Sequence, residues 1–376
     1  MNAVTIDSTY VYFYGWKQVY DWDAMTVTYT MILEKRNRSD GSIEWREIDT
    51  LHAIVVDYFS DPGDFICNIT SDSDHLYTTC SYFQMGRYGM MYQRRNKTDA
   101  TLDWNQSFTF TPGATYWGTT GVIVDDTYIY ALLNGDTNGN FRCFKILKSN
   151  GSVISTINPL ADNPGLLQDI AQDDSYIYIS SMKRIAKYLK SDFSKQWSVA
   201  FGTGPGYTQS GGCVDVDSTG VYIGMSVWYY SAQIKRGKIQ KRSLSDGSLV
   251  YEQEIQQPVE ETNDQINYLS IKVGSDSFVV SGSRRKYYDD PYFSLYLWGS
   301  IEVFQKSDGA RTEYHASFQT SPPVDGRDVR LCSLQIDGDE RYSGGPRDAW
   351  PEDYFGMVKL QKGTTDPVPF FDHTPM

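Results

Sequence analysis

"VDDTYIY" at residues 124–130 and "QDDSYIY" at 172–178 are nearly the same seven letters, written twice in one chain. The shared pattern is an acidic turn followed by an apolar pair that ends in Tyr. It recurs as "IDSTYVY" at 6–12, "TSDSDHLY" at 70–77, "VDSTGVY" at 216–222, "GSDSFVV" at 274–280 and "IDGDERY" at 336–342. Six of the seven copies end in Tyr: Tyr12, Tyr77, Tyr130, Tyr178, Tyr222 and Tyr342, with Val280 aligned at that place in the sixth. Self-similarity at a period of this size is the mark of a repeat architecture and takes precedence over element-by-element reading.

A second signal follows each copy. Short turns read "SDGS" at 39–42, "TDAT" at 98–101, "SNGS" at 149–152, "SDFS" at 191–194, "SDGS" at 245–248, "SDGA" at 307–310 and "KGTT" at 362–365. Asp-Gly and Asn-Gly between apolar runs predict hairpins with type I′ turns, which need positive φ at both central residues. Lys alternates with apolar residues before the turn, as in "FRCFKILK", and an aromatic often follows it (Trp45, Trp104, Trp197, Tyr251, Tyr314). Each repeat therefore holds four strands, A to D. One four-stranded antiparallel sheet cannot hide both faces alone, whereas seven packed radially can. The expected fold is all-β, a seven-bladed β-propeller of four-stranded antiparallel blades in one domain. Its approximate blades are 1–60, 61–112, 113–160, 161–205, 206–258, 259–320 and 321–376. On these repeats the chain resembles the Asp-turn/Tyr propellers of the quinoprotein-like type and related bacterial, archaeal and viral propellers. The Gly-His…Trp-Asp pair of WD repeats, the double Gly of kelch repeats and the sialidase Asp-box spacing are not present in this sequence.

Composition agrees with a β fold. Among 376 residues there are 29 Tyr, 17 Phe and 9 Trp, types that favour half-buried pleated surfaces. The net charge of −13 repels a phosphate backbone, so nucleic acid is not an expected partner. The N-terminus reads MNAVTIDSTYVYFYGW, without the basic and apolar regions of a signal peptide. No apolar run reaches transmembrane length, so membrane insertion is not expected either. The five cysteines form no C-x-x-C pair, although Cys67 and Cys80 could face each other across a hairpin.

In up-and-down blades the A–B and C–D turns share one end, and here they are short and uniform. The B–C and D–A connections are longer and more varied, the usual place for ligands. Trp16, Tyr20 and Trp22 stand in "GWKQVYDWDAM" at 15–25, Tyr88 in "FQMGRYGMM" at 83–91 and Trp117 in "TPGATYWGTTG" at 111–121. Trp228, Tyr229 and Tyr230 follow in "VWYYSAQIKRG" at 227–237, and Tyr287, Tyr288 and Tyr292 in "RRKYYDDPYFSLYLW" at 284–298. Trp350 and Tyr354 stand in "GGPRDAWPEDYF" at 344–355. Amphipathic rings of this kind are enriched at recognition surfaces, and they also stack on sugars. The competing reading is that these segments extend strands B and C and bury their aromatics between blades.

Catalytic signals are poor. Four histidines (His52, His75, His315, His373) stand at no metal or triad spacing. "DTNGNF" at 136–141 and "DVDSTG" at 215–220 lack the twelfth-position Glu of a calcium loop, so calcium stays an option behind a plain turn, and no cofactor or metal is expected. "GTGPG" at 202–206 lacks the Lys of a phosphate loop and reads as a D–A connection. Sequons occur at Asn37, Asn68, Asn96, Asn105 and Asn150. The function expected is a non-enzymatic binding or structural module offering an aromatic loop face to a protein or glycan. The absent leader and the Tyr/Ser/Thr/Asn-rich surface suggest a virion component of a phage or archaeal virus. The alternatives are a polysaccharide hydrolase or lyase, and an intracellular protein-interaction scaffold.

Overall fold

A computed structural model describes residues 3–21, 26–55, 67–84, 87–109, 118–134, 141–159, 166–231, 234–255, 264–287, 295–317, 333–337, 340–347, 354–361 and 368–372. Two compact units divide the chain, Met1–Leu167 with Glu352–Tyr354, and Gln168–Pro351 with Phe355–Met376. The fold is all-β and of β-propeller type, made of four-stranded antiparallel blades. Among the described residues no helix is long and apolar enough to cross a membrane.

The first unit holds three sheets of consecutive strands. They are β1 (Ala3–Ile6), β2 (Tyr10–Asp21), β3 (Thr26–Asn37) and β4 (Ile43–Val55); then β5 (Cys67–Ser71), β6 (His75–Gln84), β7 (Arg87–Asn96) and β8 (Leu102–Thr109); then β9 (Gly118–Val124), β10 (Tyr128–Asn134), β11 (Arg142–Leu147) and β12 (Val153–Ile157). The inner strand of each sheet packs on that of the next, β1 on β5 and β5 on β9. Apolar clusters fill both seams. Tyr12, Tyr14, Met31 and Leu33 meet Cys67, Ile69 and Leu76 in one. Tyr77, Met90 and Tyr92 meet Val122, Ile129 and Phe144 in the other.

The second unit opens with β13 (Leu167–Gln172), β14 (Tyr176–Ser181), β15 (Arg184–Leu189) and β16 (Lys195–Ala200). It continues with β17 (Thr203–Gly204), β18 (Tyr207–Asp217), β19 (Gly220–Tyr229), β20 (Ile234–Arg242) and β21 (Leu249–Ile255), then β22 (Asp264–Val273), β23 (Ser277–Tyr287), β24 (Leu295–Gln305) and β25 (Arg311–Ser317). The last sheet is β26 (Ser333–Asp337), β27 (Glu340–Arg347), β28 (Tyr354–Gln361) and β29 (Val368–Asp372). The tail thus supplies the outer strand of the last sheet.

One expectation needs correction. The described strands form six sheets, not seven separate blades, because those expected at 206–258 and 259–320 run together as one nine-stranded sheet. The cause is local. Strand β20 extends past the reach of β21, whose pairing stops at Gly237↔Ile255. Beyond that point Lys235 makes one parallel bridge to Gln265 at the start of β22.

The repeat Tyr explains the heptapeptide. Among the described residues, Tyr12, Tyr77, Tyr130, Tyr178, Tyr222 and Tyr342 are the largest fully buried side chains. In the sixth copy the register corrects the alignment. Gly274 opens the turn by bonding Ser277 O at 2.8 Å, so buried Val279, not Val280, takes the Tyr place. It pairs with Val303, as Tyr12 pairs with Lys35.

The C–D turns are also not type I′. Each described one closes a four-residue loop, as in Asn37 N–H to Ser42 O and Gly41 N–H to Asn37 O, both 2.9 Å. Positive φ occurs at one residue only: Gly41, Ala100, Gly151, Phe193, Gly247 or Gly309. An Asp one residue earlier (Asn150 before Gly151) fixes the loop by accepting an N–H, as Asp40 does from Ser42. "KGTT" at 362–365 lies outside the described residues.

Candidate partner-binding surface

At the turn end, five repeats begin with a carboxylate that organises its neighbours: Asp7, Asp72, Asp125, Asp173 and Asp217. Asp72 Oδ1 accepts the N–H groups of Asp74 (3.0 Å) and His75 (2.8 Å), closing the A–B turn. Its Oδ2 accepts the Tyr77 hydroxyl at 2.7 Å and pairs with Lys148 Nζ, from the next sheet, at 2.6 Å. Asp7 repeats the arrangement with Thr9, Tyr10, Tyr12 and, across the seam, Lys97. Asp125 and Asp173 likewise hold Tyr130 and Tyr178. In the nine-stranded sheet Asp217 pairs with Lys306, while the Tyr222 hydroxyl turns to Thr219 at 2.7 Å.

The electrostatics follow. Burial works against the charge on Asp72, but Lys148, Tyr77 and the two backbone N–H groups hold its carboxyl well below the usual range. Burial, then the facing carboxylate, pushes the Tyr77 hydroxyl far up, so it stays a donor. Burial also lowers Lys187, whose ammonium stands 3.8 Å from the Tyr176 ring centre and donates to Leu244 O at 2.8 Å.

Two open clefts sit over this network, one in each unit. The first, about 510 Å³, lies between the Asp7 and Asp72 turns beside Lys35, Lys97 and Thr98. The second, about 560 Å³, is bordered by Lys241, Asp276, Lys306, Glu313 and Arg341. The sequence pointed to the opposite end. The carboxylates in these clefts are engaged, Asp7 and Asp72 as above and Glu313 by Arg341 Nη1 at 2.8 Å. Asp217 acts as a turn carboxylate, and 136–140 lies outside the described residues.

At the hairpin end the aromatic segments are mostly strand. Trp16 and Tyr20 stand in β2, opposite Met31 and Val27. Tyr88 is in β7 opposite Phe83, Tyr287 ends β23 opposite Leu295, and Tyr354 begins β28. For these five only the backbone is described. Trp22, Trp117, Tyr288, Tyr292 and Trp350 lie outside the described residues. The backbone of these described segments is strand.

Three predicted residues stand consecutively at the end of β19, Trp228 and Tyr229 within it and Tyr230 just after it. Trp228 and Tyr229 are half-buried, and Tyr230 is 56% exposed. The "GTGPG" stretch folds as a tight β17–β18 hairpin that brings Tyr207 opposite Tyr229, with ring centres 5.9 Å apart. Gly206 needs its freedom there, at φ +87°, and its carbonyl accepts the Tyr230 N–H at 2.8 Å. Tyr229 donates its hydroxyl to Glu254, which also pairs with Arg236 at 2.8 Å, and the Arg236 guanidinium lies 5.4 Å from the Tyr229 ring centre. Burial and the Glu254 carboxylate raise the Tyr229 hydroxyl to about 12. Sequence reasoning missed Tyr207, Arg236 and Glu254, because their convergence depends on strand register.

Inner strands hold a further charged group that no spacing revealed. Asp169 Oδ2 accepts Val214 N–H at 3.0 Å, Asp215 Oδ2 accepts Val273 N–H at 2.8 Å, and Lys272 Nζ lies 4.0 Å from Asp215 Oδ1. Burial raises Asp169 to about 7, against the pull of Val214, Lys272 and Ile170 N–H.

The hairpin-tip sequons have a structural source. Asn37, Asn96 and Asn150 each accept the N–H of the Ser or Thr two residues on, at 2.9, 2.7 and 2.9 Å. The same bond is made by Asp40, Asp99 and Asp308 at hairpin tips, so Asn37, Asn96 and Asn150 serve as turn formers.

No protein family and no curated protein matches the sequence. Among solved structures, the WD40 domain of Neurospora crassa Pan2 aligns at 9% identity over 81% of this chain and 90% of its own, with a TM-score of 0.43. Kluyveromyces lactis Hsv2 aligns at 10% identity over 80% and 71%, with a TM-score of 0.40. Scores this low carry no argument about function, and the fold description rests on the strand pairing.

Proposed function

We propose that this chain is a non-enzymatic binding module of β-propeller type, which docks a protein partner on the hairpin end of its nine-stranded sheet. The observation that supports this is the patch around exposed Tyr230. Its neighbour Tyr229 is held by Glu254, Tyr207 and Arg236, so that ring is fixed before any partner arrives. Tyr and Arg dominate binding hot spots, and a preorganised patch loses little entropy on docking. A hydrolase or lyase reading needs two available carboxylates converging on one cleft. Asp7 and Asp72 are instead bound to Tyr and Lys, which favours binding over turnover. The glycan ligand and the virion setting rest on composition and ring chemistry alone.

The test compares the wild-type chain with Tyr229→Ala, Tyr230→Ala and Arg236→Glu variants, using Thr98→Ala as a turn-end control. Quantitative pull-down from the producing cells should yield one stoichiometric protein partner. The three patch variants should reduce its retention at least about tenfold, the range for a hot-spot residue, and the control should not. Equal retention by all variants refutes the site. Signal on a glycan array without a protein partner moves the reading to carbohydrate, and release of reducing sugar moves it to an enzyme. A purified virion whose protein inventory lacks this chain removes the virion setting.

A further inference from the structure

Cys67, the first residue of β5, is the direct register partner of Cys80 in β6. Their sulfurs lie 3.5 Å apart as a hydrogen-bonded thiol pair, with Met31 Sδ 3.6 Å from Cys80 Sγ. Opposed residues in an antiparallel ladder have Cα atoms about 4.5–5.5 Å apart. That falls within the span a disulfide tolerates, and the sulfurs need to close by only about 1.5 Å to bond. The other described cysteines, Cys143 in β11 and Cys213 in β18, sit in different sheets.

We propose that Cys67 and Cys80 are a dithiol site that closes to a cross-strand disulfide on reaction with a low-molecular-weight disulfide. One thiolate attacks the reagent, forming a mixed disulfide and expelling one reagent thiolate. The second protein thiolate attacks the mixed disulfide at the protein sulfur, forming the Cys67–Cys80 bond and expelling the second reagent thiolate. The two protons lost by the cysteines go to the two expelled thiolates, so one reagent disulfide is reduced to two thiols. Both cysteines are almost completely buried, and burial raises the Cys80 thiol well above its ordinary value. Closure is therefore slow in the folded chain and fast while β5 and β6 are still pairing. The bond fastens the inner strand of the second sheet to its neighbour and encloses the Asp72 turn in a short covalent loop.

The experiment refolds the full chain with oxidised and reduced glutathione, quenches with an alkylating reagent in denaturant and maps the cysteine peptides by mass spectrometry. The expected product has Cys67 and Cys80 peptides joined, with the mass of two hydrogens lost, and Cys143 and Cys213 alkylated. Its thermal midpoint is higher than that of the reduced chain and returns when a dithiol reductant is added. A Cys67→Ser variant shows neither the link nor the shift. The proposal is overturned if Cys67 and Cys80 are both alkylated, or both carry glutathione, in protein that has regained its β-sheet circular dichroism. Mapping the wild-type chain decides the matter even if the variant does not fold.

Discussion

Replacing Asp72 by Asn tests the seam between the first unit's second and third sheets. The amide keeps an oxygen for the turn N–H groups of Asp74 and His75. Its NH₂ cannot accept the Tyr77 hydroxyl or the Lys148 ammonium that Oδ2 now takes. A hydrogen bond to a charged acceptor contributes about 1.5–3 kcal/mol. The pair with Lys148 adds about 1 kcal/mol, kept low because Lys148 retains the Asp125 carbonyl at 2.9 Å. Side-chain exposures of 23% for Asp72 and 14% for Lys148 mean that solvent screens the pair only in part. The expected loss is about 3 kcal/mol at pH 7, read from urea unfolding followed by Trp fluorescence. Its pH dependence has a definite sign. The folded carboxyl lies below its unfolded value of about 3.9, so the wild-type advantage is complete above that pH and disappears as acid titrates the folded group. A double-mutant cycle with Lys148→Met should give a coupling of about 1 kcal/mol. A loss under about 1 kcal/mol at pH 7, or one unchanged at pH 3, refutes the assignment of Asp72 as the seam's acceptor.

Asp169 predicts the opposite pH behaviour. Raised to about 7 by burial, it destabilises the ionised fold by up to about 4 kcal/mol above that pH, and not at all below about pH 4. Asp169→Asn should therefore stabilise at pH 8 by about 2–3 kcal/mol, less than the full amount because an amide nitrogen cannot serve Ile170 N–H, and should give no gain at pH 4. Thermal melts at the two pH values check it. Gly151→Ala should cost about 2 kcal/mol or more in denaturant titration. Gly151 has φ +74°, and a Cβ there would lie 2.8 Å from Gln106 Cγ and 2.9 Å from Trp104 Cε3.

The heptapeptide carried most of the architecture because its parts are local. The carboxylate and the Tyr it bonds are five residues apart in Asp7–Tyr12, Asp72–Tyr77, Asp125–Tyr130 and Asp173–Tyr178. What joins one repeat to the next was not readable. Lys97 and Lys148 reach back to the preceding repeat's Asp at a sequence distance that depends on loop length. The shared nine-stranded sheet depends on one bridge, Lys235↔Gln265, with no compositional trace. The aromatic segments were found, but their rings were assigned to loops when Trp16, Tyr20 and Tyr229 lie in strands. Alternation in a Tyr-rich run looks the same whether the outer half of a hairpin is paired or open.

The seams share one more set of parts. Trp45, Trp104 and Trp197 each donate the indole N–H to a carbonyl of the following C–D turn, Lys97 O, Lys148 O and Leu244 O. Under Trp104 and Trp197 lie Gly151 and Gly247 of those turns, with no room for a Cβ. A unit leaving the ribosome thus finds its docking partner already made, one step behind it in the chain. The turn facing Trp45 carries Ala100 in the glycine's place. The indole-to-carbonyl bond, and not the glycine, is therefore what the three joints have in common, and it ties each new unit to the one before it.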